Sequence, residues 1–290
     1  MCGIVGAIAG RNVVPILMQG LRRLEYRGYD SAGLAVLKNG ALRRQRRQGK
    51  VAELQAALDT EPFDAPVGIA HTRWATHGVP AERNAHPHVS HDGLAIVHNG
   101  IIENHEDLRE ELKKLGYVFT SDTDTECIAH RIHYHLKKGS RDLFEAVRAT
   151  VAELQGAYAL VVMSQANPDL LVLARCGCPV VIGIGEGEHF VASDVSALLP
   201  VTRRFVFLEE GDVAEVRRTG IRVLDRDGQA VHRPVKESEL SADAAEKGPY
   251  PHYMLKEIHE QPRAVAQTLE ERVANGRLLE AAFGPDATDI

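Results

Sequence analysis

The chain is poor in cysteine, with four in 290 residues, and it has a single tryptophan. Four thiols (Cys2, Cys127, Cys176 and Cys178) do not make a disulfide framework for a chain this long, so a reducing, cytoplasmic setting is expected. No stretch approaches the roughly 20 apolar residues of a helical membrane span. The IVGAIA run near the start is too short for a signal peptide and has no basic residue before it, so none is expected. An excess of positive charge is also lacking. The 34 basic and 40 acidic residues give a net charge of −6, which argues against nucleic acid or an anionic membrane as a partner. The basic run RRQRRQGK at 43–50 reads as a solvated strand face. Metal-ligand spacings are equally sparse. Cys176-Gly-Cys178 has no second thiol pair nearby, and His86-Pro87-His88 with His91 and His98 has no carboxylate or cysteine at a recognisable spacing. No metal and no cofactor are therefore expected, and His130, His133 and His135 read as surface residues.

What is present is a mixture of short β-patterned runs and helical ones. IVGAI at 4–8, GLAVLKNGALRRQR at 33–46 with Asn39-Gly40 as its turn, GIAHTRW at 68–74 and LAIVHNGII at 94–102 predict strands, one pair being a hairpin. Helices are predicted at 14–26, 104–117, 124–139 and 141–155, with Asn104/Asp107 and Thr123/Glu126 as N-terminal caps. From 157 onward the apolar runs follow at intervals too short for crossover helices, which favours antiparallel pairing. The predicted fold class is α+β: a four-layer α/β/β/α sandwich of two antiparallel sheets covered by helices. Composition shifts near 237, where ESELSADAAEKGPYP reads as a linker. Beyond it Met254, Ile258, Val265, Leu269 and Val273 make an apolar stripe at helical spacing. The expected organisation is a domain over 1–236 and a separate segment over 237–290.

The chemistry starts at MCGIVGAIAG. Removal of Met1 would leave Cys2 with a thiol of pKa about 8.5 and an α-amine of about 8, a nucleophile and a base on one residue. A retained methionine would lock that amine in a peptide bond. Four other stretches present polar groups at strand and helix ends: Arg27 and Asp30 in LEYRGYDSAG, Arg73, Trp74, Thr76 and His77 in GIAHTRWATHG, Asn99-Gly100 in VHNGIIENH, and Asp124 in SDTDTE. An arginine grips a carboxylate, an aspartate holds an ammonium, and an asparagine amide with a glycine N–H can form an oxyanion hole. Each also has a bland reading. Arg27 and Asp30 suit an ion pair, Asn99-Gly100 a hairpin turn, and Trp74 a core position.

Together these stretches, with NAHPHVS, TDTE, LLPVTRRFVFLEEGD and HYMLKEIHEQP, resemble the glutaminase domain of the glutamine–fructose-6-phosphate aminotransferases. These are class II glutamine amidotransferases with the N-terminal nucleophile hydrolase fold. MCGI is shared by the whole class, whereas YRGYDSAG, HTRWATHG and HYMLKEIHEQP are specific to the hexose-phosphate branch. The resemblance implies hydrolysis of L-glutamine to L-glutamate and ammonia. Cys2 would attack the side-chain amide, its α-amine would serve as base, and Asn99 and Gly100 would form the oxyanion hole. Arg73 matches the residue that binds the substrate α-carboxylate, with Thr76 and His77 beside it. Asp124 matches the partner of the α-amine, Trp74 the aromatic gate of the ammonia channel, and Arg27 a supporting position in the pocket wall.

The resemblance further implies that residues 237–290 are a linker and the first helix of a sugar-phosphate isomerase domain. Fructose 6-phosphate would bind only through that half, which is absent here, and the full-length enzyme would be a homodimer. The alternatives are a glutaminase domain of another class II amidotransferase, delivering ammonia to phosphoribosyl diphosphate or an aspartyl adenylate, and a non-catalytic module that keeps the fold.

Overall fold

The computed structural model describes residues 2–238, 249–269, 273–274 and 277–278. The chain divides into two compact units, residues 1–242 and 243–290. In the first, the strands are β1 (Gly3–Ile8), β2 (Ser31–Lys38), β3 (Ala41–Gln48), β4 (Val67–Arg73), β5 (His88–Val89), β6 (Leu94–Ile102), β7 (Gly156–Ser164), β8 (Asn167–Cys176), β9 (Val181–Ile184), β10 (His189–Ala192), β11 (Arg204–Phe207), β12 (Val213–Arg217), β13 (Gly220–Leu224), β14 (Ala230–Val231) and β15 (Val235–Glu237). The helices are α1 (Val14–Leu24), α2 (Val51–Thr60), α3 (His105–Lys114), α4 (Asp124–Lys137) and α5 (Leu143–Val151). The helix α2 is not among the sequence expectations.

The strands form two antiparallel sheets, ordered β15-β11-β9-β10-β1-β4-β2-β3 and β14-β13-β12-β8-β7-β6-β5. The hairpin expected at Asn39-Gly40 joins β2 to β3, and both residues take positive φ (51° and 73°), as a type I′ turn requires. Between the sheets lies a core that includes Ile4, Ile8, Ile69, Val97, Val161, Leu173 and Ile182. On the far side of the seven-stranded sheet, Ile96, Leu160 and Val172 meet Leu112, Ile128, Ile132 and Phe144 of α3, α4 and α5. On the far side of the other sheet, α1 packs its buried Leu17, Leu21 and Leu24 against β1 and β4. The expected four-layer α+β sandwich is thus observed.

The helix caps differ from expectation. Asn104 precedes α3 but makes no capping bond. Its side chain donates to Glu153 O (2.9 Å) and accepts from Gln155 N (3.0 Å), tying α3 to the α5–β7 connection. Glu126 does not reach back to Thr123. Its carboxylate accepts from the N–H groups of Thr120 and Ser121 and from the Ser121 hydroxyl (2.6–3.2 Å), so it organises the loop before α4. Of α1 to α5, α5 alone shows a side-chain cap, Asp142 accepting from Glu145 N at 3.0 Å, while Asn12 Oδ1 accepts from Val14 N at 3.1 Å ahead of α1.

Two surface readings also change. His130 and His133 are buried, at 3% and 2% exposure, because α4 turns that face toward the seven-stranded sheet and the loops around it. His130 Nδ1 meets Ser90 Oγ at 2.8 Å, and His133 bridges Tyr117 Oη (2.7 Å) and Asp92 Oδ2 (2.9 Å). Within the basic run, Arg43 and Arg44 are exposed, but Arg46 is half-buried and donates to Arg83 O (3.1 Å) and Ala85 O (2.9 Å). That strand therefore clamps the segment before Pro87.

The second unit contains α6 (Tyr253–Leu269), with Pro262 inside it, and the short pair β16 (Val273–Ala274) and β17 (Arg277–Leu278). Val273, expected on the helical stripe, lies in β16, and most of the expected linker falls outside the described residues. Among the described residues no helix is long and apolar enough to cross a membrane.

Candidate active site

Strand periodicity aims the site. Side chains alternate between the two faces of a sheet. Ile4 and Ile8 of β1 face the inter-sheet core, so Cys2, two residues before Ile4, is on the same side. Val67 and Ile69 of β4 face it too, which places His71 and Arg73 there. Val97 of β6 faces it from the other sheet, and Asn99 follows at the next inward position. Four polar groups from three strands therefore converge at one end of the sandwich, where Gly3 pairs with Thr72 and Arg73 pairs with Ser31.

Cys2 is half-buried, and its Sγ accepts a hydrogen bond from Trp74 N at 3.2 Å. Burial pushes the thiol above its ordinary value, and the Trp74 N–H works against that shift. A thiol so placed is protonated at neutral pH and needs a base before it can attack. Asn99 Nδ2 donates to Cys2 O at 3.2 Å. The other end of the same amide, Oδ1, lies 3.0 Å from His71 Nε2, which is also 3.0 Å from His98 O. Asn99 and Gly100 are not at a strand end or a turn, as expected; both lie inside β6, opposite Ala159 and Tyr158. Gly100 takes φ 128°, and a Cβ on it would sit 1.9 Å from Ala157 O, so the backbone here closes against β7 in a way open only to glycine.

Arg73 is 3% exposed. Its guanidinium donates to His77 O and to Gly78 O (3.0 Å) and lies 3.8 Å from Asp30 Oδ1. Asp30 is thus paired with Arg73, and its backbone N–H also donates to Arg73 O at 3.1 Å. Arg27 closes the one-turn helix Glu25–Arg27, and its side chain is outside the described part of the structure. Trp74 is 50% exposed, with Tyr29 edge-on at 5.7 Å, so it is no core filler. Thr76 is exposed on the same loop, and His77 is half-buried with Nδ1 3.9 Å from Asp124 Oδ2. Asp124 is buried in the first turn of α4, where a carboxylate suits the helix N-terminus, and accepts from Ile102 N at 2.9 Å.

Behind these groups His71, His86, His88 and His98 form a buried cluster. His71 stacks on His86 at 4.1 Å, His98 Nδ1 meets Thr125 Oγ1 at 2.9 Å, and His88 Nε2 meets Thr123 Oγ1 at 3.0 Å. Burial lowers the pKa of all four, that of His71 to about 3, so they are neutral. The cavity at the sulfur has a volume of about 290 Å³ and is lined by Cys2, Trp74, Asn99, Gly100, Cys178 and Pro179. A second recess, between Cys2, Arg73, His77 and Asp124, holds only about 10 Å³. An amino acid does not fit there unless the loop from Trp74 to Val79 shifts.

Cys2, Arg73, Trp74, Thr76, His77, Asn99, Gly100 and Asp124 border these two cavities, whereas Asp30 lines neither and the Arg27 side chain is not described. The sequence reading missed His71 and Ser193, whose Oγ accepts from Ile4 N at 3.0 Å, two residues from Cys2. His71 had a signal, since it is two residues before Arg73 on one strand. Ser193 had none, because it reaches β1 from 189 residues away.

A family model described as "Glutamine amidotransferase domain" matches residues 71–200. Over its whole length the chain is 61% identical to a glutamine–fructose-6-phosphate aminotransferase (isomerizing) of Shewanella oneidensis and 59% identical to one of Pseudomonas syringae pv. tomato. It covers 48% of each, so the chain spans about half the length of the curated relatives it matches. Among solved structures, the glutamine phosphoribosylpyrophosphate amidotransferase of B. subtilis superposes with a TM-score of 0.69 at 25% identity, over 79% of this chain and 50% of that one. A glutamine aminotransferase class-II domain protein from Silicibacter pomeroyi, 14% identical with a TM-score of 0.51, covers 77% of this chain and 99% of its own, and shows the fold alone. Residues 71–200 thus match a glutamine amidotransferase domain, and the whole chain is similar to about half the length of the fructose-6-phosphate aminotransferases.

Proposed function

We propose that the chain hydrolyses L-glutamine to L-glutamate and ammonia, with Cys2 as nucleophile. The observation that carries this reading is the meeting of Cys2 and Asn99 from facing sheets, with an amide N–H already turned toward the cysteine. Once Met1 is removed, the α-amine of Cys2 takes the thiol proton and the thiolate attacks the side-chain carbonyl carbon. The Asn99 amide and the Gly100 N–H stabilise the oxyanion. The amine returns its proton to the departing nitrogen, which leaves as ammonia, and water then cleaves the thioester to give glutamate.

Arg73 takes the substrate α-carboxylate by exchanging its bonds to His77 O and Gly78 O, and Asp124 takes the α-ammonium, with Thr76 and His77 beside it. Trp74 gates the cavity above the sulfur, and Arg27 has a supporting role. On the same reading residues 1–236 are the glutaminase domain. Residues 237–290 are the linker and first helix of an isomerase domain whose remainder passes the ammonia to fructose 6-phosphate, giving glucosamine 6-phosphate in a cytoplasmic homodimer. Neither nucleic acid nor a membrane takes part. The 61% identity over the whole chain favours this acceptor over phosphoribosyl diphosphate.

The test is glutamate release from glutamine by the purified chain, on material whose intact mass shows Met1 absent. Turnover that is lost on alkylating Cys2 supports the reading. Absence of turnover with a free Cys2 would refute it for this chain.

A further inference from the structure

The oxyanion-hole role asked of Asn99 depends on which way its amide faces. Its two ends are nearly the same shape, and a flip would put an acceptor where the donor is needed. Two contacts decide the orientation. Nδ2 meets Cys2 O, a carbonyl that only accepts, at 3.2 Å. Oδ1 meets His71 Nε2, which is also 3.0 Å from His98 O, a second pure acceptor. Nε2 must therefore carry a hydrogen, and it donates to both oxygens. In the flipped amide, Nδ2 would face that N–H and Oδ1 would face Cys2 O, so a donor would meet a donor and an acceptor an acceptor.

The ring of His71 is itself fixed. It is 1% exposed, it stacks on His86 with an interplanar angle of 11°, and its Nδ1 has no hydrogen-bond partner. A bare Nδ1 is what the Nε2–H tautomer leaves. Burial keeps the ring neutral, so the tautomer is not lost to a second proton.

We infer that His71 is a positioning residue for the glutaminase reaction: as the Nε2–H tautomer it holds the Asn99 amide with its nitrogen toward Cys2. This rests on the function proposed above. The residue does not touch substrate, and its whole effect passes through Asn99. Oxyanion stabilisation belongs to the transition state, so its loss falls on kcat rather than on KM.

The experiment compares the unsubstituted chain with His71→Leu, which removes the donor, and His71→Gln, whose side-chain amide can donate to the same oxygens. Glutamine kinetics, thermal unfolding and the rate of Cys2 alkylation by iodoacetamide, a displacement that needs no oxyanion hole, are measured for each. His71→Leu is expected to lower kcat about 10–100-fold, with KM and the alkylation rate within about 2-fold of the parent, and His71→Gln to recover most of the loss. Unchanged kcat in folded His71→Leu, or equal losses in the Leu and Gln variants, would overturn the inference and leave the glutaminase reading standing. No turnover by the unsubstituted chain would overturn both. Nitrogen-15 NMR of the unsubstituted chain gives an answer that does not depend on variant folding: His71 is expected to carry its proton on Nε2, and a proton on Nδ1 alone would refute the assignment.

Discussion

The backbone N–H of Trp74 donates to the Cys2 sulfur at 3.2 Å, so the proposed nucleophile is held by a residue that also lines its cavity. A thiolate would gain from that donor more than a thiol does, because hydrogen bonds to charged acceptors are roughly twice as strong. Cys2→Ala removes the nucleophile while adding no bulk at a half-buried position. It is expected to abolish glutamate release with a thermal midpoint within a few degrees of the parent. Measurable turnover in this variant would show that another group does the chemistry.

On the proposed function, Arg73 and Asp124 act on binding rather than on bond cleavage. Asp124→Asn keeps the shape beside Ile102 N but removes the charge expected to hold the substrate ammonium. KM is predicted to rise at least about 10-fold, the size of one lost charge-assisted hydrogen bond. Arg73→Ala should raise KM as well and also lower stability, because the half-buried Asp30, 3.8 Å away, would lose this cation. Steady-state kinetics with a denaturation curve separate the two effects, and an unchanged KM in both variants would mean that glutamine binds elsewhere.

Gly100→Ala is expected to be worse than either. Its φ of 128° disfavours any L side chain, and the added methyl would lie 1.9 Å from Ala157 O. Since β6 and β7 are neighbours through nine paired positions, from Leu94↔Ser164 to Ile102↔Gly156, the collision cannot be relieved without opening that pairing. The variant should lose glutaminase activity and unfold at lower denaturant than Asn99→Ala. Asn99→Ala itself should keep the fold and lose about 100-fold or more in kcat.

The two sheets were legible because apolar alternation and turn residues are local signals, and Asn39-Gly40 shows this most directly. The motif residues were legible through resemblance, and Arg73 also through its place at the end of β4, whereas Asn99 and Gly100 lie inside β6 and not at the strand end expected. What escaped was set by contacts distant in sequence. Asn104 and Glu126 have the residue types of helix caps, but other backbone groups compete for them. His130 and His133 look like surface histidines until the loops carrying Ser90, Asp92 and Tyr117 fold over α4. The helix α2 had a signal in Val51, Leu54 and Leu58, which it buries, but it follows a strand so closely that the run is easily read as a loop.

Buried neutral histidines give the fold a pH dependence whose sign follows from their lowered values. His71 falls to about 3 and His130 to about 4, His86 and His88 fall well below the ordinary value, and His98 is also lowered, in each case first of all by burial. Between those values and the ordinary 6.5 the unfolded chain binds protons that the native chain refuses, so stability rises with pH across that window. The contribution is complete above about 6.5 and is lost as pH falls toward the folded values, at about 1.4 kcal/mol per pH unit for each group. Urea midpoints should therefore be nearly level from pH 8 to 7 and fall steeply from 6.5 to 5. His130 gives the sharper test, because it lines neither cavity at Cys2. In His130→Asn an amide keeps the bond to Ser90 Oγ and cannot titrate, so the acid limb should lose one proton's worth of slope while glutamine kinetics stay as they were. An unchanged slope would mean that His130 binds its proton equally in both states, and that its burial does not keep it neutral.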